Sequence, residues 1–231
     1  MVKKEKTMKQ IFVMGGGGFT RDPELKLEKY LLSLCDKPNP KIGFLSQASN
    51  ESRDYILKFY QSFVSLGAVP MWVSLFGRVD PIWKDKLLEQ DIIYVGGGNT
   101  RSMLALWREW GVDLVLREAY DRGIVLSGLS AGMLCWFEQG VTDSVWPLGV
   151  VDGLGFLPGS GCPHFDTEPE RLPFYQKSVA AGILHPGYGL YDDTGVHFVD
   201  GTFYKAVKTK PGKKVKFIDG SEPRVIETEL L

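Results

Sequence analysis

The sequence predicts an α/β fold built on a mostly parallel sheet, with helices on both faces and β-hairpins at the C-terminal end. Three observations carry that expectation. Short, nearly continuous apolar runs recur through the first 130 residues, as in Ile11-Phe12-Val13-Met14 and Ile92-Ile93-Tyr94-Val95. Each gives way to glycine or a polar turn and then to an amphipathic stretch, and strands that are apolar throughout belong to sheets covered on both faces. From Leu190 to Ile226 the pattern changes to β-branched and aromatic residues broken by glycine turns.

In order along the chain, Ile11–Met14 is the first strand and runs into Gly15-Gly16-Gly17-Gly18. A helix follows with Leu25, Leu27, Tyr30, Leu31 and Leu34 apolar, Asp22 and Pro23 reading as N-cap and first helical residue, and Pro38 and Pro40 ending it. Ile42-Gly43-Phe44-Leu45 is the second strand. Residues 51–66 place Tyr55, Ile56, Phe59, Phe63 and Leu66 on one helical face. A third strand spans 69–76, weakened by Pro70, and a short helix carries Leu87 and Leu88 before the fourth strand at 92–95. Residues 100–110 and 113–122 read as helices, and Ile124-Val125-Leu126-Ser127-Gly128 as the fifth strand. The spacing allows a helix over 131–138 and another over 168–181, with hairpins beyond, for example around Pro211-Gly212. No repeat or linker interrupts the pattern, so residues 1–231 are expected to form one domain, with 1–8 as a flexible tail.

Composition removes whole classes of function. Across 231 residues there are 27 Lys+Arg against 28 Asp+Glu, a net charge of -1, which gives no electrostatic reason to expect a nucleic-acid partner. No apolar stretch approaches the roughly 18 residues that span a bilayer, and no signal-peptide core follows the basic N-terminus, so a cytoplasmic protein without a membrane partner is expected. The three cysteines are odd in number and widely separated, which suits neither a disulfide framework nor a CxxC site. With three histidines and no HExxH, no zinc site can be read from spacing.

The chemistry concentrates in glycine clusters. Gly128-Leu129-Ser130-Ala131-Gly132 is a GxSxG between an apolar strand and a helical pattern. That context places a serine on a sharp turn with its hydroxyl exposed and a helix N-terminus behind it. Gly96-Gly97-Gly98-Asn99 ends the preceding strand, where open α/β sheets bind ligands. Together the two clusters suggest an oxyanion site made from the Gly97–Gly98 turn and the Ala131 N–H. The Gly15–Gly18 run is not a P-loop, because no GKS or GKT follows, and it lacks the acidic residue of a dinucleotide site; a turn lining the same cleft is the expectation.

A serine nucleophile needs a base. His164 lies in a Gly/Pro-flanked loop, His185 in a helix-end turn and His197 in an alternating strand, so His164 leads. Asp192, Asp193, Asp143 or Asp166 could orient it, and spacing does not choose among them. Trp107 and Trp110, three apart on a helix, read as packing. Lys208, Lys210, Lys213, Lys214 and Lys216 read as a solvated charge run.

The GLSAG and GGGN segments, Pro163-His164-Phe165 and Gly189-Leu190-Tyr191-Asp192 occur in an order and spacing that resemble peptidase E, the aspartyl dipeptidase family, and more distantly cyanophycinase. The resemblance covers about Lys9 to Phe217. It implies a flavodoxin-like three-layer sheet of the class I glutamine amidotransferase type and a serine peptidase of short peptides, with substrates beginning in aspartate. It implies Ser130 as nucleophile, His164 as base, Gly98 and Ala131 as oxyanion donors, and Asn99 and Arg171 as substrate-binding residues. Asp192 stands where the family commonly has glutamate, and Asp143 is the alternative acid. No metal or organic cofactor is implied, and a monomer or homodimer is expected. Another acyl hydrolase, cyanophycinase-like, and a catalytically silent binding protein are the competing readings.

Overall fold

In the computed structural model, which describes residues 7–231, the chain begins with β1 (Gln10–Met14), α1 (Lys26–Leu32), β2 (Lys41–Leu45), α2 (Arg53–Ser65) and β3 (Val69–Trp72). It continues through α3 (Trp83–Leu88), β4 (Ile92–Val95), α4 (Thr100–Trp110), α5 (Val112–Asp121), β5 (Val125–Leu129) and α6 (Ala131–Leu134). The second half holds β6 (Phe137–Thr142), β7 (Gly149–Asp152), β8 (Leu157–Cys162), α7 (Arg171–Ala180) and β9 (Gly187–Leu190). β10 (Thr194–Val199), β11 (Thr202–Lys208), β12 (Val215–Ile218), β13 (Arg224–Ile226) and β14 (Glu229–Leu230) complete it. Most of the expected N-terminal tail, residues 1–6, lies outside the described residues, and among the described ones no helix is long and apolar enough to cross a membrane.

Two sheets form. The larger has the order β14-β11-β10-β1-β5-β4-β2-β3, and its half from β1 to β3 is parallel. β10 joins β1 antiparallel and pairs with β11 in a hairpin. Alternation along the strands sorts the core into two layers. Phe12, Met14, Phe44 and Tyr94 face α1 and α2, where Phe44 stacks on Phe59 at 4.1 Å between ring centroids. Ile11, Val13, Ile93 and Val95 face α3, α4 and α5. Burying one such aromatic or aliphatic side chain contributes about 1.5–3 kcal/mol, so these two layers anchor the sheet beneath its strand ends.

The second sheet, β13-β12-β9-β8-β6-β7, shares the layer of α3–α5 beside the β1/β10 end of the first, with Phe137, Leu157, Leu190 and Val215 in the same core as Ile11 and Val196. α7 covers its other side through Tyr175 and Val179.

Three local expectations are corrected. The helix after Ser130 stops at Leu134 instead of continuing to 138: Cys135 and Trp136 are fully buried, and their carbonyls accept from Leu154, Phe156 and Leu157, which turns the chain into β6. α1 starts at Lys26, not Pro23, because Leu25 takes a left-handed conformation (φ 53°) while the Asp22 carboxylate caps the N–H groups of Glu24 and Lys26. Pro211-Gly212 connects β11 to β12 across the two sheets and closes no hairpin; the tight turn is at Asp200-Gly201, between β10 and β11.

Candidate active site

β1, β5, β4 and β2 are parallel, so their carboxyl ends share one edge of the sheet, and β10 begins at that edge beside the end of β1. Ser130 follows β5 directly. Its backbone sits at φ 55°, ψ −113°, a conformation that costs a non-glycine residue about 1–3 kcal/mol. The turn is fixed by the Ser130 N–H donating to the Met14 carbonyl (3.2 Å), and by Met133 and Leu134 donating back to the Ser130 carbonyl (2.9 and 3.0 Å). Gly132 packs against the Val95 carbonyl, where a Cβ would overlap it.

The second cluster lies beside it. Gly98 has φ 135°, open to glycine, and a Cβ there would overlap the Ala48 carbonyl. The other donors of this turn are already used: Gly96 N–H donates to Leu45 (2.9 Å), Gly97 N–H to the Tyr55 hydroxyl (3.1 Å) and Asn99 N–H to Ala48 (2.8 Å). Gly98 is exposed and its N–H has no recorded acceptor among the described residues.

His164 reaches Ser130 from the loop after β8. Its Nε2 is 2.9 Å from Ser130 Oγ and its Nδ1 is 2.7 Å from Asp192 Oδ1. The His164 backbone is also left-handed (φ 54°). The loop after β8 is tied to the first glycine turn by the His164 N–H donating to Gly15 (3.3 Å), and the β1–β10 pairing extends to that turn through Asp193 N–H to Gly16 (3.1 Å) and Gly15 N–H to Thr194 (3.1 Å). Gly16 allows this approach, since a Cβ there would lie 2.6 Å from the imidazole and overlap Asp192 Oδ1.

Asp192 is 5% exposed. Burial pushes its carboxyl up, but the hydrogen bond and charge of His164, with Arg21 and Lys213 nearby, outweigh that and hold it below the usual carboxylate range. Arg21 Nη1 lies 3.0 Å from Asp192 Oδ2, and the Asp192 N–H donates to Asp166 Oδ1 (2.8 Å). Asp166 in turn pairs with Lys213 (2.6 Å), and Asp193 with Lys210 (2.9 Å). Two lysines of the run read as solvated are therefore counterions behind this cluster.

The remaining expected residues are placed elsewhere. Asp143 does not touch His164; it is 59% exposed and 3.6 Å from Arg171 Nη2. Arg171 is 2% exposed and its guanidinium is occupied by Glu168 (2.7 Å), the Val141 carbonyl (3.2 Å) and Asp143, so it is not a free substrate-binding cation. Asn99 is the N-cap of α4, accepting from Ser102 N–H (2.9 Å) and donating to the Ser144 carbonyl (3.2 Å), so its amide is committed to the fold at both ends. His185 pairs with Glu138. His197 is buried in β10 with Nδ1 3.2 Å from the Tyr30 hydroxyl. Trp107 is fully buried, its indole donating to Gln47 (3.2 Å), while Trp110 is 39% exposed. Among the described residues no three His, Cys, Asp or Glu side chains converge as metal ligands would. Sequence reasoning gave no site role to Arg21 or Tyr55; it placed the Gly15–Gly18 run on a turn lining the cleft, but nothing local tied Arg21 to a residue 171 positions away.

A serine on a strained strand-to-helix turn, bonded to an imidazole that is bonded to a carboxylate, defines a hydrolase-type site on an α/β fold. Sequence comparison gives the class independently of the site: the model of peptidase family S51 matches residues 11–206, and the chain belongs to that family, the peptidase E family, and is a peptidase. It is 44% identical over 224 residues to the Bacillus subtilis (strain 168) protein named uncharacterized peptidase YgaJ, covering 96% of this chain and 97% of that one. Two solved structures share the fold at 19% identity. One is a Listeria monocytogenes EGD-e protein assigned to peptidase E (TM-score 0.66, 88% of this chain and 100% of that chain). The other is a peptidase from an acI-B1 Actinobacterium (TM-score 0.69, 96% of each chain).

Proposed function

We propose that this peptidase is of the serine type and cleaves short peptides, dipeptides with N-terminal aspartate being the first substrates to test. The observation that carries the reading is the unbroken chain from Ser130 Oγ to His164 Nε2 (2.9 Å) and from His164 Nδ1 to Asp192 Oδ1 (2.7 Å). In this reading His164 takes the Ser130 proton as Oγ attacks the scissile carbonyl, then delivers it to the leaving amine, and water resolves the acyl-enzyme by the same route in reverse. Asp192 holds the imidazole with Nδ1 protonated and stabilises the imidazolium. The oxyanion forms between the Gly98 and Ala131 N–H groups, a donor of this kind being worth about 3–4 kcal/mol in the transition state.

The aspartate preference cannot use Arg171 as it stands. A substrate carboxylate would bind there only by displacing the exposed Asp143 from its 3.6 Å contact. Steady-state hydrolysis of a dipeptide panel varied at the N-terminal residue tests both parts. The expected result is turnover of the aspartyl member that Ser130→Ala abolishes. Equal turnover of all members retains the serine chemistry and removes the acidic preference. Turnover by Ser130→Ala at the parent rate removes the serine reading.

A further inference from the structure

We propose that Arg21 is a positioning residue for this site, a fourth member that holds the outer oxygen of Asp192 and thereby fixes the plane of the carboxylate against His164. The inference rests on the Ser130–His164–Asp192 reading above.

Asp192 presents one oxygen to each side. Oδ1 meets His164 Nδ1 at 2.7 Å, and Oδ2 meets Arg21 Nη1 at 3.0 Å. The only other side chain on Oδ2 among the described residues is Thr167, whose hydroxyl is 3.5 Å away, at the limit of a hydrogen bond. Without Arg21 the carboxylate keeps its His164 bond but loses the contact that stops it rotating about its side-chain torsion. Its backbone is already fixed, because the Asp192 N–H is held by Asp166, itself paired with Lys213. Only the side-chain plane remains for Arg21 to set.

Arg21 is built for that task from its own side. The turn after Gly17 holds its backbone, with the Arg21 and Asp22 N–H groups donating to the Gly18 carbonyl (2.9 and 2.8 Å) and the Thr20 hydroxyl to Gly17 (2.5 Å). The Phe19 N–H is held by the buried Glu28 carboxylate (2.7 Å), and Lys58 Nζ reaches the Thr20 carbonyl (2.5 Å). A solvated arginine this exposed, 68% for its side chain, ordinarily makes a weak ion pair. Here the acceptor is 5% exposed, so the guanidinium acts on a buried charge from the solvent side.

The charges facing the His164–Asp192 pair come from several elements: Arg21 from the first glycine turn, Lys210 and Lys213 from the segment between β11 and β12, Asp166 from the His164 loop, and Asp193 beside Asp192. Among the described residues Arg21 is the one lysine or arginine in direct contact with Asp192. Removing it leaves more of the aspartate's charge on the imidazole and favours the protonated ring. The acid limb of the kcat/KM profile then moves to higher pH.

The test is steady-state hydrolysis from pH 5 to 9 by the parent, Arg21→Gln, Arg21→Lys and Ser130→Ala, with melting temperatures recorded for each. Arg21→Gln is expected to lower kcat by about tenfold with KM within about twofold, and to shift the acid limb upward by about half a pH unit. Arg21→Lys is expected to return the acid limb to the parent position while recovering only part of kcat, because an ammonium keeps the charge and loses the planar fork. Unchanged kcat and acid limb in Arg21→Gln overturn the proposal, as does a raised KM at constant kcat, which would make Arg21 a substrate contact. If Ser130→Ala retains activity, the underlying serine reading fails instead, so the two failures are distinguishable.

Discussion

Ser130 and His164 lie within one hydrogen bond of each other, yet they reach that point from two differently built regions. The serine belongs to the parallel half of the large sheet, and everything that shapes its turn lies within a few residues of it or on the neighbouring strands β1 and β4. His164, Asp192 and Arg21 meet at the seam between the two sheets, where partners are 28 and 171 residues apart in sequence. In the proposed mechanism the nucleophile is thus fixed by local backbone geometry, and the proton-transfer groups by long-range contacts that require both sheets to be docked. Damage to the seam should therefore cost activity out of proportion to stability.

The largest effect is expected from Asp192→Asn, which preserves shape but leaves the imidazole in the wrong tautomer. A fall in kcat of about 10³–10⁴-fold is expected, with a melting temperature close to the parent; a loss under tenfold would separate Asp192 from the reaction. Gly16→Ala tests the seam without removing any polar group. The new methyl must push on Asp192 and His164, so a loss of about 10²-fold in kcat is expected, readable in the same assay. Comparable kcat in this variant would mean that the seam tolerates displacement and that the contrast with the serine turn is false.

A smaller effect is expected at His197, which lies away from the seam in the middle of β10. His197 is buried, with its Nε2 unpartnered among the described residues, and burial together with Lys205 pushes it down to about 4. Its ordinary value is about 6.5, so in the unfolded chain it binds a proton at a pH where the folded protein does not. The stability this confers is complete above about pH 6.5 and is lost as pH falls toward 4, by about 2–3 kcal/mol at most. Urea unfolding between pH 7 and 4.5 should show a shallower decline for His197→Leu than for the parent, with peptidase activity at pH 7.5 little changed. Parallel declines would remove His197 from the acid sensitivity. The smallest effect is expected for Asp143→Asn: no contact joins it to His164, so kcat should stay within about twofold on a substrate without an acidic side chain.

The same contrast governs what could be read from the residues. Strand–glycine–helix alternation disclosed the parallel half and the serine turn, because apolar runs, GxSxG and GGGN are local signals. His164 was recoverable by elimination among three histidines. Asp192 could not be picked from four aspartates without the resemblance, because what distinguishes it is a fold-generated approach to His164 across the Gly16 turn. Arg21 carried no signal, and Lys210 and Lys213 looked like the rest of their charge run until Asp193 and Asp166 were brought beside them. Arg171 and Asn99 show the opposite case. Both are polar residues in positions that suggest ligand binding, and both are satisfied internally, one by Glu168 and the Val141 carbonyl, the other by capping α4. The helix read over 131–138 failed because burial of Cys135 and Trp136 overrides local spacing.

The central claim is that Ser130 is a nucleophile activated by His164. Treating the folded protein with a fluorophosphonate and locating the adduct by peptide mass spectrometry tests it most directly. The account predicts one phosphonyl group on Ser130, absent when His164→Ala is treated in the same way. An unlabelled folded protein, or labelling of Ser130 that persists in His164→Ala at the parent rate, would contradict it.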